Sequence, residues 1–304
     1  MFLTTVVQRT RNSALWPALA MPGIAWLLLF FLAPLYVVLA IVFGQVDPIF
    51  RTPIPVWNPL DWNPAQFTYV LTHIVGENGV FGPALLRTGI YVLVASVLCL
   101  VIAFPVAYYT ARLAGRWAGV LLAALIAPFW ISYMMRMLAW VNLLQDDGLV
   151  TRVLNLGGLF HVHTHWLTGQ PAVVVLGLVY GYVPYMILPL YAGLDRLPQS
   201  TLEAARDLGA NRFGSFWRVT LPMCRPTIVA AVLLTCLPML GDYFTSDMLS
   251  ASPKTAMVGN LINDSVQSPG QTGQAGAFVM LVLLATVLPM FYYVRVTSRA
   301  EVST

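Results

Sequence analysis

Six long apolar runs dominate this sequence and leave few charged residues between them. Apolar residues make up 59% of the 304 positions and charged residues only 9%. A soluble core cannot bury that much apolar surface, whereas about 20 apolar residues cross the hydrocarbon core of a bilayer as a helix. The sequence therefore predicts an all-α membrane protein with six transmembrane helices. The predicted spans are 22–43, 89–110, 117–141, 171–194, a shorter one that begins near 227, and 275–294.

Several prolines lie in or near these spans, among them Pro128 in the third and Pro238 in the fifth. They predict kinks and do not exclude the spans, because neighbouring helices can satisfy the carbonyl groups that a proline frees.

Positively charged residues lie mostly on one side of the predicted bilayer. If six helices alternate in direction, eleven arginines share one side, and an excess of Lys and Arg marks cytoplasmic loops. Both termini are therefore expected to be cytoplasmic. The net charge of +4 comes from these loops, and no basic cluster with interleaved aromatics suggests nucleic acid. The eleven are Arg9, Arg11, Arg112, Arg116, Arg196, Arg206, Arg212, Arg218, Arg225, Arg295 and Arg299.

The order of these segments gives a predicted domain organisation. The polar start before a long first run predicts an uncleaved anchor and not a removed signal peptide. The first external loop contains "PIPVWNPLDWNP", which fits either an ordered external cap or an interfacial aromatic belt. The predicted parts are a cytoplasmic segment 1–21, the first span 22–43, the external loop 44–82, a core 83–296 that includes a cytoplasmic loop 198–222, and a cytoplasmic tail 297–304.

The polar segment "EAARDLGANRFGSFWRVTLP", residues 203–222, lies between two apolar runs that are predicted to cross the membrane. Ser200 and Glu203 have the spacing of a capping box, and Gly209 supplies a left-handed helix stop. The segment reads as a two-helix hook, which either lies on the lipid headgroups or docks into a cytosolic partner. Small alanines at its tip favour docking, since they permit close backbone approach. An apolar stripe on the second helix is formed by Phe213, Phe216 and Trp217.

This segment resembles the EAA motif of permease subunits of bacterial ATP-binding-cassette importers. The motif is EAA, three residues, Gly, nine residues, an aliphatic residue, one residue and Leu-Pro. The only departure is a valine where isoleucine is usual. The matching positions are Glu203, Ala204, Ala205, Gly209, Val219, Leu221 and Pro222.

The resemblance implies a type I importer permease fold in a bacterial inner membrane, with a cytoplasmic coupling helix seated in a cleft of an ATPase subunit. It also implies four partners: two ATPase subunits, a second, homologous permease and an external solute-binding protein. ATP and magnesium would be bound by the ATPase subunits, because this chain has no P-loop and is not expected to be an enzyme or to carry a cofactor. The coupling residues implied are Glu203, Ala204, Ala205, Asp207 and Gly209.

Within that family, residues 87–262 are similar to the spermidine and putrescine permease branch. The similar strings include "PFWISYMMRMLAW" (128–140), "VYGYVPYMILPLYAGLDRL" (179–197), "LGDYFTSDML" (240–249) and "MVGNLI" (257–262). The branch usually has Glu-Phe where this chain has Asp242-Tyr243, and a Pro where this chain has Ser246. The resemblance implies a polyamine as the transported substrate.

Charged residues within spans are costly and indicate function, which singles out Arg136 and Asp242. They could pair with each other, or both could line a vestibule in the outer half of the membrane. A polyamine pathway needs carboxylates and aromatic faces for cation–π contacts, although aromatics at an interface can also be purely structural. The predicted pathway residues are Trp130, Tyr133, Arg136, Trp140, Asp242, Tyr243 and Asp247.

Other functions remain open at this level. An unneutralised Arg136 would repel a cation and favours an anionic solute, such as an organic anion or a phosphonate, carried by the same kind of importer. An ion-coupled carrier that works without ATP is a further alternative. The alternating His161, His163 and His165 invite a metal site, but with no acidic or cysteine partner adjacent in sequence the expectation is that this chain holds no metal.

Overall fold

The computed structural model of the chain describes residues 15–75, 79, 81–156 and 165–302, and most of them are helical. Four helices are long and apolar enough to cross a bilayer, and two further pairs of helices are bent at a short break. When each bent pair is counted as one span, the described residues contain the six predicted spans. The four continuous ones are Leu19–Val42, Gly82–Arg112, Pro171–Asp195 and Thr272–Phe291.

The first span exposes nearly all of its apolar side chains. It consists of α1 (Leu15–Leu27), a π-helical turn (Leu28–Leu32) and α2 (Ala33–Val42), and only 6% of its most apolar window is buried within the chain. A helix that is apolar on all sides needs an apolar environment, here lipid or another membrane subunit. Only its α2 end packs against the rest of the molecule, mainly on the last helix.

The core is formed by α4 (Gly82–Arg112) and α8 (Pro171–Asp195), which pack along their length, with α12 (Arg225–Leu240) against both. Small residues line the buried face of α4 and let the helices approach closely, as is usual in membrane bundles. They are Ala95, Cys99, Ala103 and Ala107, all fully buried.

The third span, predicted over 117–141, is bent, and the kink predicted from Pro128 is confirmed. The helical stretches Gly115–Trp130 and Tyr133–Asn155 meet at an angle of 85°. Between α5 (Ala118–Ile126) and α6 (Tyr133–Leu144), a 3₁₀ turn that contains Pro128 is followed by two residues with extended ψ angles of 137° and 142°. The bend sets the direction of α6, and Arg136 lies on its first turn.

The fifth span is also bent, by 63° between Phe213–Met223 and Arg225–Leu240. The first arm contains α10 (Arg212–Ser215), a π-helical turn (Phe216–Thr220) and α11 (Leu221–Met223). The predicted start near 227 fits only the second arm, α12, because the first arm begins at Phe213. Asp242 lies just beyond the last residue of α12 and not inside it.

At the end of the molecule away from residues 198–222, the loop after the first span is ordered in its described part. It forms a hairpin of β1 (Gln45–Val46) and β2 (Pro53–Ile54), then α3 (Ala65–Val75). Phe43 stacks on Trp62 at 4.9 Å between ring centroids. These contacts fit the ordered-cap interpretation of this loop.

Short helices complete the same end of the molecule and surround the outer part of the core. They are α7 (Leu149–Leu156), α13 (Phe244–Leu249) and α14 (Val258–Gln267), before the last helix α15 (Thr272–Val302).

Candidate functional site

The hook, residues 198–222, begins with α9 (Gln199–Asp207). The predicted capping box is wrong, because Pro198 takes the N-cap position in an extended conformation and Ser200 falls inside the helix, where no side-chain cap forms. The predicted stop at Gly209 is confirmed, with φ of +86°. Its amide donates to the carbonyl of Arg206, and the next amide donates to Ala205, which is a Schellman motif that closes the helix.

The tip of the hook is open to its surroundings. Glu203, Ala204 and Asp207 are exposed, and Leu208 is 90% exposed. Nothing lies within 4 Å of a Cβ built on Gly209. The tip therefore presents two carboxylates, small side chains and one large apolar side chain on a single short helix that nothing in the described chain covers.

The base of the hook, in contrast, is fastened to the second span. Arg112 at the end of α4 donates to the carbonyl of Leu197 at 2.8 Å. The ring of Phe216 packs edge-on against Phe104 and Tyr108 at 5.7 and 5.8 Å. The predicted aromatic stripe thus divides: Phe216 anchors the hook, while Phe213 and Trp217 stay more than half exposed.

At the opposite end of the core, Asp242 is the centre of a buried polar cluster. Its side chain is 6% exposed and accepts four hydrogen bonds. The hydroxyls of Tyr133 and Tyr182 donate at 2.9 and 3.1 Å, and Thr245 donates through its hydroxyl at 2.6 Å and its amide at 3.0 Å. Asp242 therefore ties α6, α8 and α13 together, and its carboxylate is satisfied by neutral donors.

Arg136 does not pair with Asp242. Among the described residues, no carboxylate oxygen lies within ion-pair distance of its guanidinium, and the one ion pair found is elsewhere. The guanidinium lies instead over the rings of Phe129 and Tyr133, at 4.1 and 5.3 Å from the centroids, and near Tyr180 at 5.9 Å. Tyr133 thus contacts both charged residues, one through its ring and the other through its hydroxyl. Of the two predicted arrangements, the direct pair is wrong.

The other predicted pathway residues differ in their surroundings. Trp140 packs edge-on against Tyr180 at 5.4 Å, which joins it to the Arg136 neighbourhood. Trp130 is 87% exposed at the bend and Tyr243 is 40% exposed. The structure thus brings Tyr133, Arg136, Trp140 and Asp242 together and leaves Trp130 and Tyr243 on the surface, and the role of all six in transport stays a prediction.

Asp247 lies on α13 beside Asn260 of α14. The amide nitrogen of Asn260 donates to the Asp247 carboxylate at 2.7 Å and to the carbonyl of Tyr243 at 3.1 Å. Partial burial raises the pKa of the Asp247 carboxyl, the hydrogen bond from Asn260 opposes this shift, and the charge of Asp264 adds to it. These groups line a cavity that also contains Arg87 and Asp264.

Sequence reasoning did not single out Phe129, Tyr180, Tyr182, Thr245 or Asn260. Each lies in or directly beside the strings that carry the family resemblance, but aromatic and small polar residues are common in membrane helices. Their importance depends on contacts with residues far away in sequence, such as the 109 positions between Tyr133 and Asp242.

Of the three histidines in the run, only His165 is among the described residues. His161 and His163 lie outside them. The ring nitrogen of His165 pairs with the Asp146 carboxylate at 3.0 Å, and both side chains are mostly exposed. Within the described ranges, no group of three or more potential metal ligands comes together.

Six spans of bilayer length, with a hook whose tip is exposed after the fourth, define a polytopic membrane protein. Residues 84–301 match the family described as the binding-protein-dependent transport system inner membrane component, and the chain belongs to this family.

Two curated relatives and one solved structure illustrate its similarities. The chain is 30% identical over 272 residues to the spermidine/putrescine transport system permease protein PotB of Haemophilus influenzae, which covers 88% of this chain and 90% of that protein. It is 35% identical over 170 residues to PotB of Escherichia coli K12, covering 56% of this chain and 61% of that protein.

The solved structure is that of a bacterial ABC transporter involved in the import of the acidic polysaccharide alginate. A chain of that transporter superposes with a TM-score of 0.68 at 20% identity, covering 94% of this chain and 96% of its own. This likeness confirms the predicted permease fold.

Proposed function

We propose that this chain is the permease subunit of an ATP-driven importer that carries a polyamine, such as spermidine or putrescine, across the bacterial inner membrane. The observation that carries the proposal is the motif-bearing hook, whose tip is exposed and whose base is fastened to the second span. The substrate class rests on the similarity to the two PotB proteins.

The hook is proposed to be the contact with the ATPase subunits, through Glu203, Ala204, Ala205, Asp207 and Gly209. It would lie on the cytoplasmic side, as the arginine distribution indicates. A rigid base is required for a lever, because a flexible one would absorb the movement of the partner. Arg112 and Phe216 supply that rigidity. The complete importer would contain two ATPase subunits, which bind ATP and magnesium, a second permease and an external binding protein.

The substrate is proposed to pass near the opposite end of the core, by the predicted pathway residues. Aromatic faces attract ammonium groups through cation–π contacts. The exposed Trp130 and Tyr243 could contact the substrate directly, together with Asp247. Asp242 and Tyr133 would act by fixing the geometry of the helices around the pathway, since the Asp242 carboxylate already accepts four hydrogen bonds.

The test is uptake of radiolabelled spermidine into liposomes that contain the reconstituted complex with its binding protein. We expect uptake to require ATP inside the liposomes and to be lost when Glu203→Gln or Glu203→Ala is introduced. The matched control is Glu301→Gln, since this glutamate lies on α15 and outside the motif. ATP-independent uptake that survives the Glu203 changes would contradict the proposal and favour an ion-coupled carrier.

One observation favours a second substrate class. Arg136 is buried without an ion pair among the described residues, and a fixed cation beside a pathway would suit an anionic solute. Calorimetry on the binding protein of the same importer separates the two: spermidine binding supports the proposal, and binding of an organic anion or a phosphonate contradicts it.

A further inference from the structure

The guanidinium of Arg136 occupies a site made mainly of aromatic rings. We name the rings of Phe129, Tyr133 and Tyr180 the aromatic cage. All three centroids lie within 6 Å of the guanidinium carbon, the nearest at 4.1 Å, and the residue is only 7% exposed. Faces of aromatic rings at such distances attract a cation through their quadrupoles.

The same guanidinium lacks the hydrogen bonds that a buried arginine normally makes. Its Nε and Nη1 atoms are buried without a partner in the described part of the chain. Leaving such donors unpaired is costly, because water is lost and nothing replaces it. The rings therefore supply most of the local attraction, and the cage holds a cation to which it makes no directional bonds.

A site of this kind suits an alkylammonium group as well as it suits a guanidinium. The carboxylate of Asp242, bonded to the Tyr133 hydroxyl at 2.9 Å, places a negative charge beyond one of the rings and adds to the attraction for any cation there. Phe129 and Tyr180 also line an apolar cavity of about 770 Å³, which gives these two rings room to move when the occupant changes.

We propose that Arg136 is a resident competitor of the substrate: its guanidinium fills the aromatic cage in the substrate-free chain and leaves it when an ammonium group of the substrate enters. Arg136 thereby raises the substrate concentration needed for transport and sets a threshold for it. This inference rests on the proposed function, since it requires a cationic substrate.

The test compares kinetic constants for spermidine uptake by the reconstituted complex. Arg136→Met keeps an unbranched side chain, shorter than that of arginine, and removes the charge, so the cage loses its competitor. We expect KM to fall by about threefold to thirtyfold, the range that corresponds to one cation–π site, while kcat changes little. Arg136→Lys restores a cation and should return KM towards the wild-type value. Arg152→Met, at an exposed arginine of α7, is the matched control and should change neither constant.

An unchanged or raised KM in Arg136→Met would overturn the inference, because a structural arginine or a direct substrate contact gives that result. The outcome is separable from failure of the proposed function. If the wild-type complex takes up no spermidine, the proposed substrate is wrong. If wild-type uptake is normal but KM does not fall in Arg136→Met, only the competitor role is contradicted.

If Arg136→Met does not assemble into the complex, chemical modification of a cysteine at the same position gives a second test. Arg136→Cys is made in a background where Cys99, Cys224 and Cys236 are replaced by alanine. The single thiol is then modified with 2-aminoethyl methanethiosulfonate, which attaches an ammonium group, or with methyl methanethiosulfonate, which attaches an uncharged methylthio group, and mass spectrometry confirms both. The ammonium adduct should have the higher KM, and equal values for the two adducts would contradict the proposal.

Discussion

The hydroxyl of Tyr133 donates a 2.9 Å hydrogen bond to the carboxylate of Asp242, across 109 positions of sequence. Tyr182 reaches the same carboxylate oxygen from the fourth span at 3.1 Å. One carboxylate thus fixes the bent third span and the fourth span to the segment that follows the fifth. The spans on both sides of the hook meet again at this cluster, at the far end of the core.

Replacement of Asp242 by asparagine should loosen this cluster. The amide keeps one acceptor oxygen and turns its NH₂ group either towards the hydroxyls or towards the Thr245 amide, all of which had donated, so buried polar groups lose their partners. We expect a loss of about 1–3 kcal/mol in the free energy of unfolding, measured by thermal unfolding of the purified chain in detergent. Asp147→Asn, at an exposed aspartate, is the control. Equal stability of the two variants would show that Asp242 does not tie the helices.

Replacement of Gly181 by alanine should displace Tyr133. A Cβ at Gly181 would lie 2.7 Å from the Tyr133 ring and 2.9 Å from its hydroxyl oxygen. Such overpacking costs about 1–3 kcal/mol, and it also breaks the bond to Asp242. Gly89→Ala in α4 is the matched control, because no atom lies within 4 Å of a Cβ built on Gly89. This change should be neutral or stabilising. Similar melting temperatures for the two variants would be evidence against the packing described.

Replacement of Phe216 by alanine should free the hook from the second span. The two edge-on ring contacts that Phe216 makes with the second span are lost, and we expect destabilisation of about 1–3 kcal/mol together with a smaller amount of transport per ATP hydrolysed. Phe213→Ala removes the same ring three residues earlier, where 72% of it is exposed, and should leave the stability of the isolated chain unchanged. Coupling that is unaffected by Phe216→Ala would rule out the rigid base.

Asp247 should make uptake sensitive to acid on its side of the membrane. Its pKa is raised above the ordinary 3.8, so the carboxyl becomes neutral at a higher pH than usual as the pH falls. A carboxylate attracts an ammonium group, and the protonated form does not. We expect the ratio of wild-type to Asp247→Asn uptake of spermidine to decline towards one as the pH falls through this raised pKa. A ratio that does not change with pH would remove Asp247 from the pathway.

The spans and the hook could be predicted from sequence because they depend on local properties. The apolar composition of 171–194 is enough to require a bilayer, and the fixed spacing from Glu203 to Pro222 is enough to place the motif. Gly209 was predictable for the same reason, since a left-handed stop depends on one residue and its helix. The capping box was wrong because the helix starts two residues earlier, with Pro198 and not Ser200 at the N-cap, and the sequence does not show which of two nearby positions begins it.

The polar cluster and the aromatic cage could not be predicted, because they depend on which helices meet. Direct pairing of Arg136 with Asp242 was one of the two arrangements that the sequence left open, and in the structure, where the third span bends by 85° before Tyr133, the two residues share Tyr133 as a neighbour instead. A proline near the break predicts a kink but gives neither its angle nor the direction of the helix that follows.

The sequence alone determined that this chain lies in a membrane, how its spans follow one another and where its EAA-like motif stands, since bilayer length and residue spacing are local. Only the tertiary structure decided that Asp242 is satisfied by neutral donors while Arg136 rests on rings. The physical reason is that a buried charge takes whichever partners the packed helices bring within reach, and those partners come from distant parts of the chain.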